Sequence, residues 1–413
     1  MFEKGDVEKL FYREKYYKFF IRKIFDIYNF LFAHSYKSNN LKSILALCSR
    51  EIDYYKGKGT DIRYYGYIDN NVVRSSFNSF ARKGLSIKKP GYTSGTTGSP
   101  SKYLWDFRSM AAEQYFQNKY FGWSKKYKVV FRGEKLFEPD EMPEKIYKTV
   151  PFIKEMYISS FHINDNTLKN LVEKLKTIPD KCLWAYPSTA FILAEYCIRT
   201  GEKLEFDVVA TSSETLLDNQ VEVIEKAFNC RIKDWYGHAE RAAALIRCEH
   251  GHYHEVENYS HVEYIERGDN TCEITGTTLH NRIMPLIRYM TNDMVEISPG
   301  KCPCGHQSTN ILKIHGRRSS YIDLPNKRIP ECLFGCLIKK TRNVFQFQVV
   351  QTKQKEIIYK IVKGEGFNQE DEKLLLNTIY GTLPREFCTV KYVDSIERDK
   401  SGKFRYVINE NAG

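Results

Sequence analysis

Two glycines lie among hydroxyl residues in the segment Tyr92-Thr-Ser-Gly-Thr-Thr-Gly-Ser-Pro-Ser-Lys102. Glycine allows backbone conformations that turn N–H groups towards a bound anion, and the hydroxyls and the lysine add further donors. The segment is not a Walker loop, which needs Lys-Ser or Lys-Thr after its last glycine, nor the three-glycine dinucleotide fingerprint. It predicts either a phosphate-binding loop or a surface turn. The residues concerned are Thr93, Ser94, Gly95, Thr96, Thr97, Gly98 and Lys102.

A second set of residues has the types that bind a metal. Cys248-Glu-His-Gly-His-Tyr-His254 lies upstream of Cys302-Pro-Cys304-Gly-His306. Thiolate and imidazole are the ligands that tetrahedral Zn²⁺ prefers, although Cys-x-Cys is tighter than the usual Cys-x-x-Cys. The alternative is a set of free buried cysteines with surface histidines. His250 and His252 compete with His254 for the single histidine position.

Four further signatures follow the glycine-containing segment. They are Ser212-Ser-Glu214, Trp235-Tyr-Gly-His-Ala-Glu240, Arg288-Tyr-Met-Thr-Asn-Asp293 with Gly316-Arg317, and Asp399-Lys-Ser-Gly-Lys-Phe-Arg405. In the same order, the five segments resemble motifs of the adenylate-forming superfamily, which includes acyl-CoA synthetases, peptide-synthetase adenylation domains and luciferases. Each motif alone is weak, but the shared order across about three quarters of the chain favours the resemblance.

The resemblance implies a chemical role for the matched residues. Lys403 is expected to bridge carboxylate and phosphate during adenylation, Glu240 to ligate Mg²⁺, and Thr96 to be a third catalytic residue. This suits the chemistry, because a carboxylate becomes a good electrophile only once AMP is attached, and cations must stabilise the crowded phosphates. The residues assigned to ATP and AMP are Thr93, Ser94, Gly95, Thr97, Gly98, Lys102, Ser213, Glu214, Tyr236, Gly237, Asp293 and Arg317, with Tyr236 stacked on adenine and the last two on the ribose hydroxyls.

Three positions depart from the family pattern. Asn292 replaces the glycine of Tyr-x-Thr-Gly-Asp, and Ala239 replaces the usual threonine before the glutamate. The family hinge, an aspartate or lysine shortly after Gly-Arg, falls near Ser320, so we expect rotation of the small domain to be altered or to use another residue. The identity of the acid is not encoded in these motifs, although residues 186–188 and His238 are expected to border its carboxylate.

The cysteine and histidine clusters resemble those of phenylacetate-CoA ligase-like proteins, including their CapK-like branch in capsular polysaccharide biosynthesis. This implies a structural zinc ion on Cys248, His254, Cys302 and Cys304, with no open position for water. The resemblance also bears on the acceptor of the acyl group. Phenylacetate-CoA ligases favour the thiol of CoA, whereas the CapK-like branch favours an amine such as an amino sugar.

The composition sets the class of protein. The chain has 413 residues, of which 42% are hydrophobic and 28% charged, and this excludes a small disulfide-stapled module and wholesale disorder. The net charge of +12 suits an anionic partner without choosing its kind, but we expect no nucleic acid because no run of five basic residues occurs. The charged amino terminus and the shortness of the longest apolar stretch, residues 183–194, predict a cytoplasmic protein.

Hydrophobic periodicity predicts an α/β architecture. Residues 7–36 predict one or two amphipathic helices, whose aromatic stripe we expect to be a core face rather than a membrane contact. Strand-like runs alternate with helical patterns up to Gly316, and a β-β-α-β order follows. The expected domains are a large adenylate-forming core of sheets and helices, residues 1–316, and a small mobile α+β lid domain, residues 317–413, which carries the Ser-Gly-Lys motif.

The sequence thus predicts an ATP-dependent, AMP-forming ligase that activates a small carboxylic acid and transfers the acyl group to CoA. One alternative is an amide-forming ligase that attaches an acyl or amino-acid group to an amino sugar or sugar acid. The other is a non-catalytic nucleotide-binding scaffold, against which the retained Glu240, Asp293, Arg317 and Lys403 argue. No oligomeric state is predicted.

Overall fold

The computed structural model of the chain describes most of its residues. They are 4–36, 40–84, 88–92, 101–123, 126–138, 141–268, 271–317, 321–324, 327–330, 334, 343–364, 366–383 and 385–411. The predicted phosphate-loop residues Thr93, Ser94, Gly95, Thr96, Thr97 and Gly98, and the hinge candidate Ser320, lie outside the described residues.

Helices flank the sheets. The α-helices are α1 (Lys4–Phe32), α2 (Leu41–Glu51), α3 (Asn70–Ser75), α4 (Phe77–Phe80), α5 (Phe107–Phe121), α6 (Asp165–Lys176), α7 (Pro187–Thr200), α8 (Asp218–Phe228) and α9 (Gln369–Thr382). Short 3₁₀ segments are Ala33–Tyr36, Asp53–Tyr55, Ile62–Tyr64, Pro151–Ile153 and Arg385–Phe387. Polar residues start several helices: the Asp106 side chain accepts the Ser109 N–H at α5, and Asn164 forms a capping box with Thr167 at α6.

The strands are numbered in chain order. They are β1 (Lys89–Tyr92), β2 (Lys102–Trp105), β3 (Tyr127–Phe131), β4 (Tyr147–Val150), β5 (Glu155–Ile158), β6 (Lys181–Ala185), β7 (Val208–Ser212), β8 (Ile232–Gly237), β9 (Ala244–Arg247), β10 (Tyr253–Glu255), β11 (Ser260–Gly268), β12 (Thr271–Thr278), β13 (Tyr289–Ser298), β14 (Asn310–Arg317), β15 (Tyr321–Leu324), β16 (Lys327–Pro330), β17 (Val344–Gln351), β18 (Ile357–Lys363), β19 (Cys388–Tyr392) and β20 (Val407–Asn409).

The largest sheet in the described part of the chain has twelve strands in the order β11-β12-β13-β14-β10-β9-β8-β7-β6-β3-β5-β4. The run from β8 to β5 is parallel, with α6, α7 and α8 as crossovers, and the remaining pairs are antiparallel. Apolar side chains of the parallel strands and their crossover helices form one buried core. The prediction of an α/β fold is confirmed.

A second sheet lies after residue 343, in the order β19-β18-β17-β20. Leu375 and Ile379 of α9 pack with its strands in a separate buried cluster. The β-β-α-β order is as predicted, and β20, which runs parallel to β17, is an addition. β14 ends at Arg317, and the domain boundary at this residue remains a prediction.

Helix α1 contacts the core with charged side chains as well as with apolar ones. Lys15 lies 2.6 Å from Glu134, and Arg22 lies 2.7 Å from the buried Glu155. The predicted aromatic core face holds for Phe25, which is buried. It is wrong for the opposite side of the helix, because helical spacing identifies a stripe but not the side that packs. The exposed residues there are Tyr17, Phe20, Ile24, Ile27, Phe30 and Leu31.

Among the described helices, none combines the length and the apolar character needed to cross a bilayer. The cytoplasmic location remains a prediction. The cysteines of the described residues form no disulfide bond with one another.

Candidate active site

A cleft of about 940 Å³ lies where the parallel strands end. Ligands of open parallel sheets bind outside the carboxyl ends of the strands, and two predicted motifs follow β7 and β8 directly. Eight predicted site residues line this cleft: Ser213, Glu214, Tyr236, Gly237, Glu240, Asp293, Arg317 and Lys403. Lys102 does not, because it is exposed on β2, where its ammonium lies 5.5 Å from the centre of the Phe77 ring.

The carboxylate of Glu240 is held on both of its oxygens. Tyr289 donates its hydroxyl to Oε1 at 3.0 Å, and Nδ1 of His238 lies 3.0 Å from Oε2. Nε2 of His238 accepts the N–H of Ala243, so Nδ1 carries the proton and is the donor to Glu240. Burial opposes ionisation of Glu240, but the hydrogen bonds from His238 and Tyr289 outweigh it and lower the pKa of Glu240 to about 2. The cleft thus contains a fixed carboxylate.

The two residues assigned to the ribose are neighbours. Asp293 pairs with Arg317 across β13 and β14, and its Oδ2 accepts the hydroxyl of Tyr236 at 2.7 Å. Asn292, which replaces the family glycine, has a φ of 61°. Asparagine tolerates this left-handed conformation better than most residues, which explains the substitution.

Lys403 lies in a tight turn closed by Asp399. One carboxylate oxygen of Asp399 accepts the N–H groups of Ser401 and Lys403, at 2.8 and 3.1 Å, as well as the Ser401 hydroxyl. Burial and the nearby Arg132 guanidinium lower the pKa of Lys403, and Glu214 and Asp399 oppose this. The turn therefore brings a largely buried ammonium group to the cleft.

This turn seats against the core with no side chain between the two backbones. A Cβ on Gly133 would lie 1.8 Å from the carbonyl oxygen of Ser401, and one on Gly402 would lie 2.4 Å from the Cα of Gly133. Tyr186 donates its hydroxyl to the same Ser401 carbonyl at 3.0 Å. Gly402 also has a φ of 77°, which favours glycine. The contact depends on glycine at both positions.

Glu214 joins the core to the turn rather than presenting a free carboxylate to a ligand. Its Oε2 accepts the N–H of Ser188 at 3.0 Å, and its Oε1 accepts the N–H of Phe404 at 2.6 Å. Burial raises the pKa of Glu214, and Arg398, whose Nη1 lies 3.8 Å from Oε1, counteracts this. Glu214 thus makes structural hydrogen bonds in this arrangement, and its assignment to ATP and AMP remains a prediction.

Arg132 lines the cleft and was missed at the sequence level. Its Nη2 donates to the Ser213 hydroxyl at 2.6 Å, and its guanidinium lies over Trp184, 4.4 Å from the ring centre. Its Nε is buried and has no hydrogen-bond partner. Burial lowers the pKa of Arg132. The only signal in the sequence was an arginine and a glycine directly after a strand, which is too common a pattern to identify a site.

The four predicted zinc ligands lie together. Their ligand atoms are all within 4.8 Å of one another, and this is the group in the described residues that could hold a metal. Sγ of Cys248 lies 3.7 Å from Sγ of Cys302. That agrees with the edge of a Zn–S tetrahedron, ~3.8 Å for bonds of ~2.3 Å, and is far longer than a disulfide. Nε2 of His254 lies 3.2 Å from Sγ of Cys304.

His254 is the histidine that the structure groups with the cysteines. It is fully buried, and its Nδ1 lies 3.2 Å from the carbonyl oxygen of Thr309. A carbonyl accepts only, so Nδ1 is protonated and Nε2 has its lone pair directed to the cysteines. His250 is nearly half exposed instead, and His252 is not part of the cluster. Zinc itself remains a prediction.

Comparisons with known proteins agree with these motifs. Residues 326–410 match the CapK C-terminal domain. Protein CapK of Staphylococcus aureus is 24% identical over 332 residues, which cover 77% of this chain and 73% of CapK.

Solved structures of the same fold extend the match to 90% of the chain. A 2-hydroxyisobutyryl-CoA ligase in the postadenylation state, in complex with an acyl-AMP, has a TM-score of 0.67 at 14% identity, covering 90% of this chain and 88% of the ligase. The same ligase with CoA in the thioesterification state gives 0.53 at 16% identity and the same coverage. ATP-bound MatB of Rhodopseudomonas palustris gives 0.50 at 14% identity, covering 78% and 68% of the two chains. The predicted resemblance is confirmed: residues 326–410 match the CapK C-terminal domain, the chain is similar to protein CapK, and its fold is that of adenylate-forming ligases.

Proposed function

We propose that the chain is an ATP-dependent, AMP-forming carboxylate ligase. The observation that carries this proposal is the position of Lys403 in the same cleft as Glu240, Asp293 and Arg317. These residues come from three separate parts of the chain. A non-catalytic scaffold would have no need of a partly buried lysine beside the proposed nucleotide position, since even partial burial of an ammonium group costs free energy.

The proposed reaction has two steps. First, a carboxylate oxygen of the acid attacks the α-phosphorus of ATP, and the bond to the pyrophosphate oxygen breaks. Negative charge accumulates between the reacting groups, where the ammonium of Lys403 and the guanidinium of Arg132 are placed to stabilise it. Second, a nucleophile attacks the carbonyl carbon of the acyl adenylate, and AMP leaves with the electrons of the C–O bond.

Glu240 is the proposed ligand of Mg²⁺. Its lowered pKa keeps it ionised, and a carboxylate in a phosphate-binding cleft suits this cation. When bound, the cation neutralises charge on the phosphate oxygens. His238 and Tyr289 hold the carboxylate in place.

The docked position of the Lys403 turn suits the first step. The higher TM-score with the postadenylation form of 2-hydroxyisobutyryl-CoA ligase than with its thioesterification form supports the same assignment. We infer that the carboxy-terminal domain is in the position required for adenylation. It must move before the acyl group is transferred to the acceptor. Whether Ser320 is the pivot remains a prediction.

CoA is the first candidate for the acceptor, since solved enzymes of this fold are CoA ligases, one of them with CoA bound. The second is an amine of an amino sugar or sugar acid in capsule polysaccharide synthesis. The specific observation that favours it is the CapK C-terminal domain. Either acceptor attacks the same carbonyl carbon, so the proposed adenylation does not depend on the choice.

The test is ATP–pyrophosphate exchange with a panel of carboxylic acids, because exchange reports adenylation without an acceptor. Lys403→Ala is expected to reduce it at least 100-fold. Lys400→Ala is the matched control, because this lysine lies in the same turn and is exposed. Equal exchange by the two variants would contradict the mechanism. ATP binding without exchange for any acid would favour the scaffold. CoA and glucosamine are then compared as acceptors for the acid that exchanges.

A further inference from the structure

We propose that the acid activated by this chain carries a second oxygen-bearing group, a hydroxyl or a second carboxylate, and that Arg241 binds this group. The inference rests on the proposed function and specifies the class of its substrate. Arg241 follows Glu240 directly in the chain. It lines the cleft together with Trp105 and Glu113.

Arg241 is held close to the residues of the reaction. Its N–H donates to the carbonyl of His238 at 3.0 Å and closes the turn that contains Glu240. Arg241 lines the same cleft as Lys403 and Glu240, so we expect it to be within reach of the distal part of an acid whose carboxylate lies near these two residues.

One donor of Arg241 has no hydrogen-bond partner among the described residues. Its Nη1 is buried and bonds to none of them, and its Nε lies 3.9 Å from Glu113, beyond hydrogen-bond distance. The carboxylate of Glu113 instead accepts Gln117 and Tyr259. A buried donor without a partner destabilises the protein, and the effect is larger when the group is charged. A ligand oxygen at this position would remove that cost.

The guanidinium is also fixed in orientation. It lies over the ring of Trp105, with Cζ 4.3 Å from the ring centre, and Trp105 donates its indole N–H to the carbonyl of Ala239. Arg241 has a φ of 56°, a left-handed conformation that a long side chain rarely adopts. Such conformations persist where the surroundings enforce them and are concentrated at functional sites. The side chain is therefore preorganised rather than free to turn to solvent.

The chemistry of this wall selects against hydrocarbon acids. An alkyl or phenyl group against Arg241 would leave the Nη1 donor unsatisfied, whereas a hydroxyl or carboxylate oxygen would accept from it. Sites built to bond a polar group reject analogues that lack it far more strongly than apolar pockets distinguish sizes.

The test uses acids matched in size in the exchange assay: butyrate with 4-hydroxybutyrate and succinate, and cyclohexanecarboxylate with glucuronate. We expect at least one oxygen-bearing acid to exceed its hydrocarbon partner 100-fold in kcat/KM. Exchange in which the hydrocarbon partners equal or exceed the polar acids overturns the inference and leaves the proposed function standing. Absence of exchange with every acid, in a protein that binds ATP, counts against the proposed function itself and removes the basis of the inference.

Variants assign the effect to Arg241. Arg241→Met is expected to raise the KM of the oxygen-bearing acid at least tenfold, while the KM of ATP and exchange with the hydrocarbon partner stay within twofold. Arg241→Lys keeps a donor and should restore part of the loss. Arg231→Met, at an exposed arginine, is the control for loss of an arginine in general. An equal loss for polar and hydrocarbon acids would show a merely structural role and overturn the assignment.

Discussion

The N–H of Phe404 donates a 2.6 Å hydrogen bond to the carboxylate of Glu214, from a position 190 residues further along the chain. The other oxygen of Glu214 accepts from Ser188 at the start of α7. One buried carboxylate thus connects the core with the turn that carries Lys403.

We therefore expect Glu214→Gln to weaken adenylation. The amide replaces one acceptor oxygen with an NH₂ group, which would face an N–H donor. Loss of a hydrogen bond to a charged group, about 1.5–3 kcal/mol, corresponds to roughly a 10- to 150-fold decrease in the exchange rate. Glu222→Gln, at an exposed position on α8, is the control. An unchanged rate would mean that the docked turn is not needed for adenylation.

Gly133→Ala tests the contact between the core and the turn that carries Lys403. The added Cβ would lie 1.8 Å from the carbonyl oxygen of Ser401, so the turn cannot dock as it does here. We expect at least a tenfold loss of exchange with little change in the melting temperature. Gly66→Ala adds a Cβ with nothing within 4 Å and should leave both unchanged. Full activity in Gly133→Ala would contradict the docked position as the active one.

The cysteine cluster predicts a zinc ion with a structural role. The purified protein should contain about one zinc ion per chain, and Cys302→Ser should lose it together with thermal stability. The ligands come from the β9–β10 hairpin and from the segment between β13 and β14, so the metal would tie together two hairpins that are distant in sequence and meet where β14 pairs with β10. Cys230→Ser, outside the cluster, should retain the metal when both are measured by elemental analysis. A metal-free wild-type chain would overturn the assignment.

The lowered pKa of Glu240 predicts that the free energy of unfolding depends on pH. Its pKa is about 2 in the folded chain, below the ordinary value of 4.5, so its contribution is fully present above about pH 4.5 and is lost as the pH falls towards 2. By linkage, the free energy of unfolding of the wild type should exceed that of Glu240→Gln by up to about 3 kcal/mol at pH 7.

Urea unfolding of both proteins at pH 7, 5, 4 and 3 measures this difference. We expect it to be constant between pH 7 and 5 and to shrink below. A difference that stays the same down to pH 3 would show that the Glu240 carboxylate is not stabilised by His238 and Tyr289.

Much of the site was predictable because its motifs are short and local. Tyr236, Glu240 and Asp293 are identified by neighbours within a few positions, and the structure brings them into one cleft with Lys403. The Cys-x-Cys spacing and the resemblance likewise indicated Cys248, His254, Cys302 and Cys304, and the structure groups these four residues.

What could not be predicted depends on contacts between distant segments. Arg132, Arg398 and Arg241 lie in no motif. Their roles depend on the residues that pack around them in the fold. The hydrogen bonds of Glu214 could not be predicted for the same reason, since its partners Ser188 and Phe404 are far away in sequence. In α1 the periodicity was correct, but it could not identify which face packs.

The contact of Gly133 with Ser401 and Gly402 also has an evolutionary consequence. At this contact the two backbones touch directly. A clash there cannot be relieved by repacking side chains, because neither glycine has a side chain. A substitution at either glycine cannot be compensated at the other, which is already the smallest residue, and would require this docking to be abandoned. Selection for the docked arrangement would therefore hold glycine at two positions some 270 residues apart.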